Sequence, residues 1–132
     1  MIVLDASAAA DLLLNIEPQA EVIADRIAAS GETLHAPHLI DAEVFHVVRN
    51  RAGRRVLSEW RAGEALEDLR DIRLTRYATW PFLERMWDFR ENLSTLDAAY
   101  VALAEALDAP LVTTDLRLAR TRGHTARIEA IQ

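Results

Sequence analysis

The chain has 132 residues, of which 51% are hydrophobic and 27% charged, and it carries a formal net charge of −6. That length matches one ordinary domain, 1–132, able to bury a core without cross-links. With no Cys among its residues, disulfides, zinc–thiolate sites and thiol catalysis are excluded. All fifteen basic residues are Arg, so no lysine nucleophile or Schiff base is available. No apolar run reaches membrane-spanning length, and no basic segment precedes the first apolar stretch. The composition is that of a cytoplasmic protein. The negative charge argues against a general grip on nucleic acid. Yet Arg49, Arg51, Arg54 and Arg55 crowd one stretch, and Arg117, Arg120, Arg122 and Arg127 another.

Ile2-Val3-Leu4 has the continuous apolar character of a short buried parallel strand. Asp5 follows it, and a helix is expected from Ser7 to Leu14. Glu17-Pro18 opens a second helix that Ser30-Gly31 closes. Thr33 to Ala36 is a second strand, stopped by Pro37. A third helix runs from His38 to Arg51, because Ile40, Val44, Val47 and Val48 share one face. Gly53 breaks it, and Arg54 to Asp68 forms a fourth helix paired with it as a hairpin. Ile72 to Tyr77 is a third strand. Thr79 caps a helix reaching Arg90, with Pro81 tolerated in its first turn. The strongest helical pattern spans Thr95 to Leu107, with Leu96, Tyr100, Leu103 and Leu107 as its stripe. Leu111-Val112-Thr113 is a fourth strand, Leu116 to Thr121 a short helix, and Ala126 to Ile128 a fifth strand. Alternating strands and helices predict an α/β fold on a parallel sheet.

Acids recur in one structural role along this pattern. Asp5 and Asp115 each stand where a strand gives way to a helix, the edge on which open α/β sheets bind ligands. Asp97 lies in the first turn of the strongest helix and Glu43 in the first half of the third. Each has an ordinary structural use. Asp5 and Asp115 suit N-caps, and Asp97 suits a capping box with Ser94 or the helix dipole. Caps do not explain Glu43, three residues from Ile40 and four from Val47, nor Asp97, four residues from Val101. Those spacings put carboxylates on inward faces, where an unpaired acid is costly. Clustered carboxylates suit hard cations such as Mg²⁺ or Mn²⁺, which activate water and clamp a phosphodiester. Ser7 and Thr114, beside the acids, serve either as caps or as hydroxyl partners of the carboxylates.

Taken together, Ile2-Val3-Leu4-Asp5-Ala6-Ser7, Asp41-Ala42-Glu43-Val44, the run from Arg90 to Ala104 containing Ser94-Thr95-Leu96-Asp97, and Leu111-Val112-Thr113-Thr114-Asp115 resemble a PIN-domain ribonuclease. Within that superfamily they look like a VapC-type toxin of a type II toxin–antitoxin pair. The resemblance spans essentially the whole chain. It implies a parallel sheet of about five short strands wrapped by helices. It also implies a site in which Asp5, Glu43, Asp97 and Asp115 hold Mg²⁺ or Mn²⁺ and metal-activated water hydrolyses RNA. In that carry-over Asp5 and Asp97 are the direct ligands, Glu43 binds metal or acts as base, and Asp115 is peripheral. The implied partners are an RNA substrate, a second copy of the chain, and a VapB-type antitoxin whose C-terminal segment lies in a groove and blocks the site, the helix hairpin around Val44 to Leu66 being one wall of that groove.

Arg49, Arg51, Arg54, Arg55 and Arg90 are candidates for phosphate contact, or else a solvated face with ion pairs. Trp60, Trp80 and Trp87 suit either the core or an interface. A receiver domain is excluded by the single acid after the first strand and the absence of Lys. A DxD phosphatase is excluded by Ser7 at the second acid position. The four His offer no i, i+4 zinc pair. The remaining alternatives are a PIN nuclease of RNA processing and a non-catalytic binding module.

Overall fold

The computed structural model describes residues 1–132. Five strands, β1 (Ile2–Leu4), β2 (Leu34–Pro37), β3 (Leu74–Tyr77), β4 (Leu111–Thr113) and β5 (Ile128–Ala130), form one sheet in the order β3-β2-β1-β4-β5. All four pairings are parallel. Six helices surround it: α1 (Ala6–Leu13), α2 (Gln19–Ser30), α3 (Leu39–Gly53), α4 (Glu59–Asp71), α5 (Leu83–Asp88) and α6 (Thr95–Leu107). The chain leaves β1 toward β2 and β3, then returns to β1's other side with β4. β1 and β4 therefore flank the reversal of strand order, where parallel sheets leave a crevice at their carboxyl ends.

The three central residues Ile2, Val3 and Leu4 are fully buried, as a strand covered on both faces requires. Helix α6 packs against β1, β2 and β4. Seven consecutive residues, Ala98 to Ala104, are buried, so α6 is enclosed all round rather than amphipathic. Its four Ala residues in that run admit close approach of the strands. Leu96 is not part of the core stripe; it is 49% exposed and sits at the mouth of the crevice.

Other boundaries move for local reasons. α4 begins at Glu59, not near Arg54, because Ser58 caps it by accepting from the Arg61 N–H. Arg55 before it has φ +57°, a turn conformation that helix propagation does not allow. Pro37 ends β2 from within, as its last residue. The segment after Thr79 is a 3₁₀ turn over Trp80–Phe82 followed by the short α5, and Thr79 supplies no side-chain cap. The segment after β4 makes only a 3₁₀ turn, Leu118–Arg120, and β5 starts two residues later than the apolar pattern suggests.

Asp41, the first acid of the Asp41-Ala42-Glu43-Val44 stretch, is a structural clamp. Its carboxylate accepts from Arg76 Nε and Nη2, both at 2.8 Å, a fork that ties β3 to the start of α3. Arg76 Nη2 also donates to the Leu69 carbonyl at 3.0 Å. The core reading of the tryptophans is overturned: Trp60, Trp80 and Trp87 are 75%, 75% and 66% exposed. No helix is long and apolar enough to cross a membrane.

Candidate active site

Asp5 is the N-cap of α1, and it is more than a cap. Its Oδ1 accepts from the Ala8 N–H at 2.9 Å and the Ser7 hydroxyl at 2.7 Å, while Oδ2 accepts from the Thr113 hydroxyl. An ionised carboxylate has about four acceptor positions, so Asp5 keeps one to spare. Its backbone N–H donates to the Val112 carbonyl across the β1–β4 seam at 3.2 Å. The carboxylate is thus fixed on both sides of the switch point. Only 6% of Asp5 is exposed. Burial raises its pKa above the ordinary carboxylate value, three hydrogen bonds oppose the rise, and the Asp97 charge adds to it.

Glu43 enters from α3, half-buried, and its Oε1 accepts from the Tyr100 hydroxyl at 2.9 Å. Burial pushes its pKa up as well, with the charges of Asp5 and Asp97 in the same direction and the Tyr100 hydrogen bond against it. Tyr100 itself is nearly fully buried on α6; burial and the Glu43 charge raise its pKa, so it stays a donor. Asp97 stands in the first turn of α6, where its N–H donates to Ser94 Oγ at 3.2 Å. That is half of a capping box; the Asp97 carboxylate forms no return bond and makes no other hydrogen bond. Carboxylates from the N-cap of α1, from α3 and from α6 therefore lie near enough at the carboxyl end of β1 for the charges of Asp5 and Asp97 to act on Glu43.

Asp115 lies at the same sheet edge and differs in state. Its carboxylate accepts from Arg117 Nη2 at 2.7 Å and Nε at 3.1 Å, and from the Arg117 backbone N–H at 3.0 Å. The Arg117 guanidinium holds its pKa below the ordinary value, against a small rise from burial. Arg117 also feels the Asp97 charge, which places a cation at the rim of the cluster.

The hydroxyl partners differ from the sequence expectation in one residue. Ser7 does contact Asp5. It also lies 3.2 Å from Thr113 Oγ1 and accepts from the Thr114 N–H at 3.1 Å. Thr114 contributes only that backbone group, while the side chain facing Asp5 is that of Thr113, fully buried. Adjacent strand residues point to opposite faces, and the last residue of β4 is the one aimed across the seam. Period-two alternation from Leu111 was the available signal. Tyr100 and Arg117 were missed too. The signal for Tyr100 was a lone phenol in a buried run, since buried Tyr hydroxyls take a partner.

None of Arg49, Arg51, Arg54, Arg55 and Arg90 belongs to an ion pair; the Arg residues that do are Arg26, Arg61, Arg76, Arg85, Arg117 and Arg127. Arg90 lies over the Trp87 ring at 4.5 Å from its centroid and donates to the Trp87 carbonyl.

No set of three acidic or histidine side chains is arranged as a ready-made cage for a metal ion. Mg²⁺ does not require one, since it is usually held by one or two carboxylates and completes its octahedron with water and substrate phosphate oxygens. The donor set fits such an ion. Asp97 offers both oxygens, Glu43 one and Asp5 one lone pair, and a cation would relieve the burial and repulsion that raise two of these pKa values.

Comparison with known proteins agrees with this fold. The PIN domain family model matches residues 2–124. Ribonuclease VapC9 of Mycobacterium tuberculosis is 46% identical over 121 residues, covering 92% of this chain and 91% of the relative. Ribonuclease VapC12 of the same organism is 40% identical over 131 residues, covering 99% of both. Among solved structures, PAE2754 from Pyrobaculum aerophilum superposes with a TM-score of 0.70 at 25% identity, over 96% of this chain and 82% of the other. VapBC2 from Rickettsia felis, solved with a promoter DNA fragment, gives 0.65 at 17% identity over 98% of each chain. A sheet whose switch point carries these acids, a family model matching nearly end to end and relatives at this identity lead to one assignment: the chain belongs to the PIN-domain family, among the VapC ribonucleases.

Proposed function

We propose that the chain is the toxin of a type II toxin–antitoxin pair, an endoribonuclease dependent on Mg²⁺ or Mn²⁺. The observation that carries this reading is the meeting of Asp5, Glu43 and Asp97 at the switch point with no lysine or histidine among them, two of the three held above their ordinary pKa values. A bound divalent ion there supplies water activation and stabilises charge on the leaving oxygen. Asp5 and Asp97 would hold the ion. Asp5 is the rigid donor, fixed by Ser7, Ala8 and Thr113; Asp97, whose carboxylate has no hydrogen-bond partner, would be the adjustable one. Glu43, oriented by the Tyr100 hydroxyl and with its pKa raised by burial, would accept the proton of the attacking water. Asp115 acts through Arg117, keeping a guanidinium at the rim for a phosphate oxygen. Arg49, Arg51 and Arg90, free of ion pairs, contact flanking phosphates.

The antitoxin partner is supported by the similarity to VapC ribonucleases and to the fold of VapBC2. The exposed Trp60, Trp80 and Trp87 supply aromatic surface of the kind interface cores use, for an antitoxin or a second copy of the chain.

The purified chain is incubated with total RNA and Mn²⁺ or Mg²⁺, with EDTA as control and Asp97→Asn beside it. Cleavage that vanishes with EDTA and in the variant is the expected result. Equal cleavage by both proteins would assign the activity elsewhere. Intact folding and metal binding without cleavage would leave a binding module.

A further inference from the structure

Beside the carboxylates a cavity of about 490 Å³ opens between α1, α3 and the start of α6. Glu43, with the Ser7 hydroxyl, forms its polar end, and Leu39, Val47, Leu96 and His46 line the rest. A single exposed leucine needs no explanation. Three apolar side chains lining the same recess as the half-buried Glu43 carboxylate do. The volume lies within the range of small-molecule pockets, roughly 300–1,000 Å³, whose usual make-up is apolar walls and a few polar groups.

The rim has defined chemistry. The Asn50 side-chain amide stands 3.1 Å from His46 Nε2. An amide N–H donating there leaves the neutral imidazole with its proton on Nδ1, a donor. His46 sits three residues after Glu43 on α3, and Arg49 three after His46, so each neighbours the next, the row drifting by about 60° at each step until Arg49 stands outside the recess. At about 1.5 Å of rise per residue, Arg49 lies some ~9 Å along the axis from Glu43. Arg49 is exposed and free of ion pairs. Carboxylate end, apolar recess with an imidazole edge, then guanidinium: the sequence of environments matches phosphate, base, phosphate along a single RNA strand.

We infer that this cavity is a nucleobase subsite, taking one unstacked base of single-stranded RNA next to the phosphate being cut. The base lies between Leu96 and the Leu39–Val47 wall, His46 contacts its edge, and Arg49 takes the next phosphate. The inference rests on the nuclease reading of the neighbouring acids. A peptide segment would use the apolar walls as well, but it would leave the free guanidinium beyond the recess without a partner; a polyanion uses both.

The test separates the two readings by removing metal and phosphate. Uncharged ribonucleosides (adenosine, guanosine, cytidine and uridine) are titrated in EDTA against wild type, His46→Ala and Leu96→Asp, followed by NMR shifts. His46 and Leu96 are exposed, so both variants should melt as the wild type does. At least one nucleoside should shift resonances of Ser7, Val47 and Leu96, and Leu96→Asp should weaken it on the order of tenfold, the scale of one lost apolar contact. With Mn²⁺ and a randomised RNA, His46→Ala should relax base preference at one position beside the cut. If no nucleoside shifts these residues, or if both variants keep wild-type affinity and preference, the subsite is wrong. If N-acetyl-leucine amide binds there and no nucleoside does, the groove belongs to a protein segment and the inference falls. Absence of cutting by wild type would sink the nuclease reading alone, because the EDTA titration still decides the cavity.

Discussion

The carboxyl ends of β1 and β4 lie side by side, and each carries an aspartate, yet the two acids are in opposite states. Asp5 is enclosed, held by three neutral donors, and burial raises its pKa. Asp115 faces a guanidinium that is 87% exposed, and that partner lowers its pKa. Position in the sheet is shared; the partner differs. A buried carboxylate without a countercharge is a standing demand for a cation. A carboxylate already satisfied by Arg117 makes no such demand.

The largest expected effect is on chemistry at the β1 end. Asp97→Asn should lower the RNA cleavage rate by about a thousandfold, corresponding to the several kcal/mol a divalent ion contributes. Asp115→Asn in the same gel assay should lower it by only about tenfold, the lower end of what positioning partners cost. Equal losses would erase the distinction between the two acids.

Next comes the hydroxyl that crosses the seam. Thr113→Val keeps the shape and leaves an Asp5 oxygen unpaired, costing about 1–3 kcal/mol of stability in urea unfolding. It should also weaken Mn²⁺ binding, read by calorimetry, by about 10–100-fold. A Thr113→Val protein as stable as wild type would show that the seam bond does not hold Asp5.

The comparison also has a sign in pH. For Asp5 the folded pKa is raised, so the neutral acid is favoured in the fold. Its contribution is fully present below the unfolded value, about 3.9, and is lost as pH rises through the folded value. In EDTA, melting of wild type against Asp5→Asn between pH 4 and 7.5 should therefore show the variant gaining relative stability as pH rises. For Asp115 the folded pKa is lowered. Its contribution is present above the unfolded value and lost as pH falls through the folded one, so Asp115→Asn should cost stability only at the upper end, and little, the arginine of the pair being exposed. Same-signed pH profiles for the two variants would contradict the assigned environments.

The smallest effect belongs to Thr114→Ala, which removes a side chain but keeps the backbone N–H that reaches Ser7. Cleavage and melting temperature should stay within error of wild type.

Much of this was legible in advance. The strand Ile2–Leu4 followed by Asp5, the helix Thr95–Leu107 with Asp97 in its first turn, and the strand Leu111–Thr113 are read from apolar runs and caps, and the structure has them at those residues. Glu43 stood out because its spacing from Ile40 and Val47 turns it inward. Thr113 was overlooked in favour of Thr114 because adjacency to Asp115 in sequence outweighed the pleat, which aims the other residue across the seam. The exposed tryptophans could not be placed, since hydrophobicity alone does not distinguish core from interface.

What the sequence determined by itself was local: periodicity set the elements, side-chain caps set the starts of α1, α4 and α6, and the absence of lysine and cysteine limited the chemistry. What only the tertiary structure decided was pairwise. The strand order that puts β4 beside β1, the Thr113 and Tyr100 hydroxyls that orient Asp5 and Glu43, and the arginine that claims Asp115 all join residues far apart in the chain. Local propensity acts over a few residues; the ionisation of a carboxylate is set by whatever the fold brings within a few ångströms of it.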